Sequence, residues 1–178
     1  MKSTSGITRI EVLLIIVVLA IFFALMLPGP RPGFDNSRRA SAKNDVVQIA
    51  TAITAYETEY GRVPSTNGDV QDVGGPILQA LLGMDTNLNR RQIVFLEIQT
   101  ARKGKGGLSN GVYVDPWGFP YKMKLDVDGS KFLTNVGPAS TLKAKITGKV
   151  VAVWNDPDYH ADWAKPDKKK KRAVTSWD

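Results

Sequence analysis

A chain of 178 residues without a single cysteine cannot rest on disulfides, thiol chemistry or a cysteine-ligated zinc, and it is long enough to bury one ordinary core. Its formal charge of +7 would suggest a polyanionic partner if it were spread evenly, but residues 165–178 hold six cations against two acids, which leaves only +3 for the rest. The basicity lies mostly in that C-terminal stretch, and no specific nucleic-acid interface is expected.

The first predicted element is apolar. Residues 12–27 are sixteen consecutive apolar side chains, preceded by Arg9 and Glu11. A bilayer core takes about 20 residues of helix and a secretory signal core about 7 to 15. Read as one helix, residues 7–27 span roughly 31 Å at about 1.5 Å each, enough to cross, with Arg9 and Glu11 at the entry. The run ends Ala24-Leu25-Met26-Leu27-Pro28-Gly29, a poor small-x-small cleavage site. The other place to cut is before the run, where a short polar leader containing Lys2 ends at Gly6.

Gly6-Ile7-Thr8-Arg9-Ile10-Glu11 followed by this run resembles the type III signal of type IV pilins and type II secretion pseudopilins. The resemblance implies that a prepilin peptidase cuts after Gly6 and methylates the new terminus at Ile7, and that Glu11 serves assembly. Physically, a carboxylate at membrane depth costs a few kcal/mol or more unless paired. The cleaved amine of a neighbouring subunit would supply that pair and so mark the register. The alternative is that Glu11 snorkels at the interface. Ile7 stands where the family more usually has phenylalanine, and Arg9, two residues from Glu11, does not face it on a helix. Lys2 and Arg9 precede the run whereas Arg31, Arg38, Arg39 and Lys43 follow it, so the positive-inside count opposes the N-in orientation that the resemblance implies.

Pro28, Pro30 and Pro32 with Gly29 and Gly33 predict a kink or linker. Helical pattern resumes at Ser37, with Val46, Ile49, Ala50, Ile53, Tyr56 and Tyr60 recurring on one face until Gly61 stops it. Residues 44–64 also resemble the second half of the pseudopilin helix and its closing Gly-Arg-x-Pro turn. A short helix is expected over 76–82, opened by Pro76 and closed by Gly83. Strands are expected at 93–98, 121–127, 131–135 and 150–154. The fold class is therefore α+β: a long N-terminal helix, membrane-spanning in its first half and amphipathic in its second, packed on a small antiparallel sheet.

Asp115-Pro116-Trp117-Gly118 suits a type I turn. With Phe119-Pro120-Tyr121 it also resembles the DPWG-x-P-Y stretch of the major pseudopilin of type II secretion, the G-type. Asp126-Val127-Asp128-Gly129-Ser130 begins like a calcium loop but lacks the third acid and the distant glutamate, and Asp-Gly between strands favours a two-residue hairpin turn. Pseudopilins of this class bind calcium in their strand region, so Asp126, Asp128 and Ser130 remain candidate calcium ligands, with Asp156, Asp158 and Asp162 weaker ones. The one histidine, His160, has no nucleophile motif near it, and no enzyme activity is expected.

The resulting division is a prepilin leader (1–6), a transmembrane and assembly helix with its Pro-rich kink (7–33), a periplasmic α+β domain (34–164) and a basic, disordered tail (165–178). The function implied is a pseudopilin-like subunit, polymerised through its N-terminal helix into a periplasmic filament that drives type II secretion. It would be anchored by a single pass in the bacterial inner membrane. Its expected partners are copies of itself, other pseudopilins, the prepilin peptidase and the inner-membrane secretion platform. Two other readings stay open: a type IV pilus or minor pilin subunit, and a permanently anchored periplasmic binding domain that uses the basic tail.

Overall fold

The computed structural model describes residues 8–26, 33–137, 143–155 and 173–177. Its helices are α1 (Arg9–Met26), α2 (Gly33–Tyr60) and α3 (Gly75–Leu81). Its strands are β1 (Gln71–Asp72), β2 (Gly107–Ser109), β3 (Val112–Val114), β4 (Tyr121–Leu125), β5 (Phe132–Val136), β6 (Lys143–Thr147) and β7 (Val151–Asn155). The chain divides into two compact units, residues 1–35 and 36–178.

In the first unit, α1 forms where the apolar run predicts a helix. Its 18 residues rise about 27 Å, short of the roughly 30 Å of a bilayer core. Among the described residues no helix is long and apolar enough to cross a membrane. The prolines at 28, 30 and 32 lie outside the described residues, and helix resumes at Gly33, four residues ahead of the expected Ser37. The last of those prolines precedes Gly33, so no ring interrupts the hydrogen bonding of residues 33–37.

In the second unit, α2 buries the expected face. Ala42, Val46, Ile49, Ala52, Ile53 and Tyr56 are all buried, and Ala50 and Tyr60 pack against the same cluster. Gly61 takes φ +66° and donates its amide to Glu57 O at 2.8 Å, which ends the helix in the left-handed turn that glycine favours. Opposite α2, Tyr121, Met123 and Leu125 of β4 and Val151 and Val153 of β7 present one sheet face, and α3 contributes Ile77, Leu78 and Leu81.

The sheet order is β1-β4-β7, antiparallel throughout, with β2-β3 and β5-β6 as separate two-stranded pairs. A second, smaller core forms on the far face of the sheet, where Leu133, Val136 and Ile146 of the β5-β6 pair cover Ala152 and Trp154 of β7. Each face of β7 thus meets a different apolar layer, which is why its five residues read as a continuous buried strand.

The expected strand at 93–98 forms no ladder. Phe95 N and Leu96 N both donate to Leu81 O, at 2.9 and 3.1 Å, so the segment hangs from the end of α3 and drops Leu96 into the core. The Asp128-Gly129 hairpin also does not form, because β4 pairs with β1 and β7 while β5 pairs with β6. Asp126–Lys131 is instead a corner between two sheets.

Candidate functional site

Every described side chain from Thr8 to Phe23 is exposed, including Ile10 at 76%, Leu13 at 62% and Phe23 at 78%. The helix is therefore apolar around most of its circumference rather than along one stripe. Glu11 lies in its first turn, where a carboxylate complements the positive end of the helix dipole, and its amide donates to Thr8 O at 3.0 Å. Gly6 and Ile7, the expected processing residues, lie outside the described residues.

Asp126, Asp128 and Ser130 are brought together by the corner after β4. Asp126 is buried; its Oδ2 accepts the Lys131 amide at 2.7 Å and its Oδ1 the Ser130 hydroxyl at 3.4 Å. Ser130 N donates to Asp128 Oδ1 at 3.0 Å, an Asx-turn bond, and hydrogen bonds from Ser130 hold the exposed Asp128 carboxyl down at about 2. A cleft of about 720 Å³ beside this corner is lined by Arg62 and Lys131 as well as by Glu57, Asp126 and Asp128.

A calcium ion takes six to eight oxygens. Here two carboxylates are already engaged by the loop's own donors and two cations share the cleft, and among the described residues no group of three acidic or histidine side chains could hold a metal. The corner thus brings the three expected residues together, with both carboxylates engaged by the loop's own donors in a turn. Asp156, Asp158, Asp162 and His160 lie outside the described residues.

The Asp115 turn is realised as expected, with Gly118 N donating to Asp115 O at 2.9 Å. Sequence reasoning did not foresee the role of the side chain. Asp115 Oδ1 accepts from Trp117 N and Gly118 N at 2.8 Å and from Phe119 N at 3.0 Å, so one buried carboxylate oxygen folds the loop that feeds β4. At the far end of that loop the Tyr121 hydroxyl reaches Asp45 on α2. Burial pushes the Asp45 carboxyl up, partly offset by hydrogen bonds from Tyr121 and Tyr113, and burial beside Asp45 also raises both phenols.

A second polar tie, also unforeseen, centres on Asn89, which is fully buried. Its Nδ2 donates to Ala80 O and Ile93 O, and its Oδ1 accepts the Tyr60 hydroxyl at 2.7 Å, joining α2, α3 and the segment after α3. The third unforeseen feature is the C-terminus. The tail expected over 165–178 does not hold at its end, because residues 173–177 lie against β7; residues 156–172 and 178 are outside the described residues. Val174 and Thr175 are buried there, and an apolar Val and Trp flanking the basic run were the available signal.

No protein-family profile matches the chain, and no solved structure does. Among curated proteins, the chain is 30% identical over 121 residues to type II secretion system core protein G of Pseudomonas aeruginosa, covering 68% of this chain and 73% of that protein. It is 27% identical over 127 residues to the protein of the same name from Aeromonas hydrophila, covering 68% and 73%. With that of Vibrio cholerae the identity is 24% over 160 residues, covering 89% of this chain and 97% of its relative. The chain belongs to the type II secretion system core protein G family.

Proposed function

We propose that the chain is a pseudopilin subunit of type II secretion, held in the inner membrane by its N-terminal helix until it is polymerised into a periplasmic filament. The observation that carries this reading is α1, an apolar helix whose described side chains from Thr8 to Phe23 are all exposed, in a chain whose second unit is a compact α+β domain with its own apolar core. A helix of that kind is inserted in lipid in the stored subunit and packed among the helices of its neighbours in the filament. As a sequence, residues 7–27 amount to roughly 31 Å of helix at about 1.5 Å each, the length of a bilayer core.

In this reading Gly6 is the residue before the prepilin-peptidase cut, Ile7 is the methylated new terminus, and Glu11 receives the amine of the adjacent subunit. The role is structural rather than enzymatic, and the partners are further pseudopilins and the inner-membrane platform. Mass spectrometry of the mature N-terminus tests it. A chain beginning at N-methylated Ile7 is the expected result; an intact Met1 or a cut after residue 27 would overturn it.

A further inference from the structure

The outer edge of β7 is covered by the chain's own last residues. β7 reads Val-Ala-Val-Trp-Asn, with no charge, no proline and all five residues buried, the kind of edge that pairs with any extended backbone it meets. The opposite edge of the sheet, β1, is two residues long, and its Asp72 is paired with Lys122 at 2.6 Å, so it is blunted without a cover. On β7 the outward groups of Val153 and the amide of Asn155 are occupied: Asn155 N donates to Val174 O at 3.1 Å, Ser176 N to Val153 O at 2.9 Å, and Val153 N to the Ser176 hydroxyl at 3.0 Å.

Side chains fasten the cover further. Val174 enters the main core, Trp177 packs edge-on against Trp154 at 5.9 Å, and Lys43 of α2 donates its ammonium to Thr175 O at 2.8 Å. It is nevertheless not a strand. A single antiparallel bridge, Trp154 with Thr175, stands where a ladder would run, and a serine hydroxyl takes the place of a backbone carbonyl at Val153. Val174 N also donates to Asn155 Oδ1 at 2.6 Å, but a five-residue segment held by one bridge, two side-chain bonds to β7, two apolar anchors and one ammonium still has fewer backbone bonds than the five-residue ladder beneath it and opens more easily.

We propose that residues 173–177 are a detachable cover on the β7 edge, and that its release opens that edge to the β7 edge of a second copy of this chain. Antiparallel pairing of β7 with itself is isologous, so one contact satisfies the outward groups of both copies, and the absence of charge along the strand leaves nothing to repel the partner.

The test uses the full chain in detergent, compared with a chain ending at Arg172 and with the milder variant Ser176→Pro, which removes one amide donor and the hydroxyl but keeps Trp177. Amide exchange at Val153 and Asn155 and sedimentation across a concentration series are read for all three in the same detergent, so association through α1 is common to them. In the intact chain the two amides are expected to exchange slowly. In the shortened chain they should exchange at least about tenfold faster when dilute, with a concentration-dependent dimer that restores their protection. Ser176→Pro should fall between, and it decides the matter by the same two readings if the shortened chain does not fold. Slow exchange after removal of the cover, or fast exchange with no species larger than the intact chain forms, would overturn the proposal.

Discussion

The hydroxyl of Tyr121 in β4 donates to Oδ2 of Asp45 in α2 at 2.7 Å, tying the middle of the long helix to the first residue of the central strand. Because burial raises the Asp45 carboxyl above its unfolded value, the neutral acid is the form the fold prefers. Its contribution to stability is full below the unfolded value and is lost as pH rises through the folded one. Asp45→Asn keeps an acceptor for Tyr121 and is expected to match or exceed the wild-type Tm at pH 7, with the advantage shrinking below about pH 4. Tyr121→Phe should instead lower stability by about 1 to 3 kcal/mol, since it strands a carboxylate oxygen. Thermal melts of the three chains across pH 3 to 8 check both; a wild-type advantage that grows with pH would contradict the assignment.

Asp115 concentrates three backbone amides on one oxygen. Asp115→Ala leaves those amides facing an apolar methyl and is expected to destabilise by about 3 kcal/mol, whereas Asp115→Asn, which retains one acceptor oxygen, should lose less than half as much. Chemical denaturation distinguishes them, and equal losses would mean that the charge rather than the acceptor geometry matters.

The Asp126–Lys131 corner satisfies its own carboxylates, so melting in calcium and in chelator is expected to coincide. Selective binding to the folded chain would raise stability by about 2.7 kcal/mol at a hundredfold excess over Kd. A shift of that size that is abolished by Asp128→Asn would establish these residues as ligands.

Glu11→Ala removes an ionised group from the entry of an apolar helix and should leave membrane storage intact. Polymerisation should fall, because breaking one side of a buried pair costs about 3 to 5 kcal/mol. Crosslinked or sheared filaments from processed Glu11→Ala subunits, at matched membrane level, give the reading. Normal yield would leave Glu11 as an interfacial residue.

What local chemistry dictates was legible in the sequence. The Val46–Tyr56 stripe, the Gly61 stop, the Pro76 start of α3 and the Asp115 turn each depend on residues within a turn or two of one another, and each forms where expected. The apolar run before residue 27 forms α1 as a helix for the same reason, since its pattern is read within the segment itself. Pairing is different. Whether 93–98 becomes a strand depends on an open neighbour, and α3 offered a carbonyl instead. β4 pairs with β7 rather than β5 because the two faces of β7 meet two separate apolar layers, one shared with β4 and the other built by the β5-β6 pair. β6, with Lys143, Lys145 and one buried Ile146, carries too little alternation to announce itself, and the docking of Val174 and Trp177 needs Lys43 and Trp154, more than a hundred and about twenty residues away. Backbone hydrogen bonds between distant segments are chosen by which edges and faces remain unfilled once the helices have packed, and only the tertiary structure decides that.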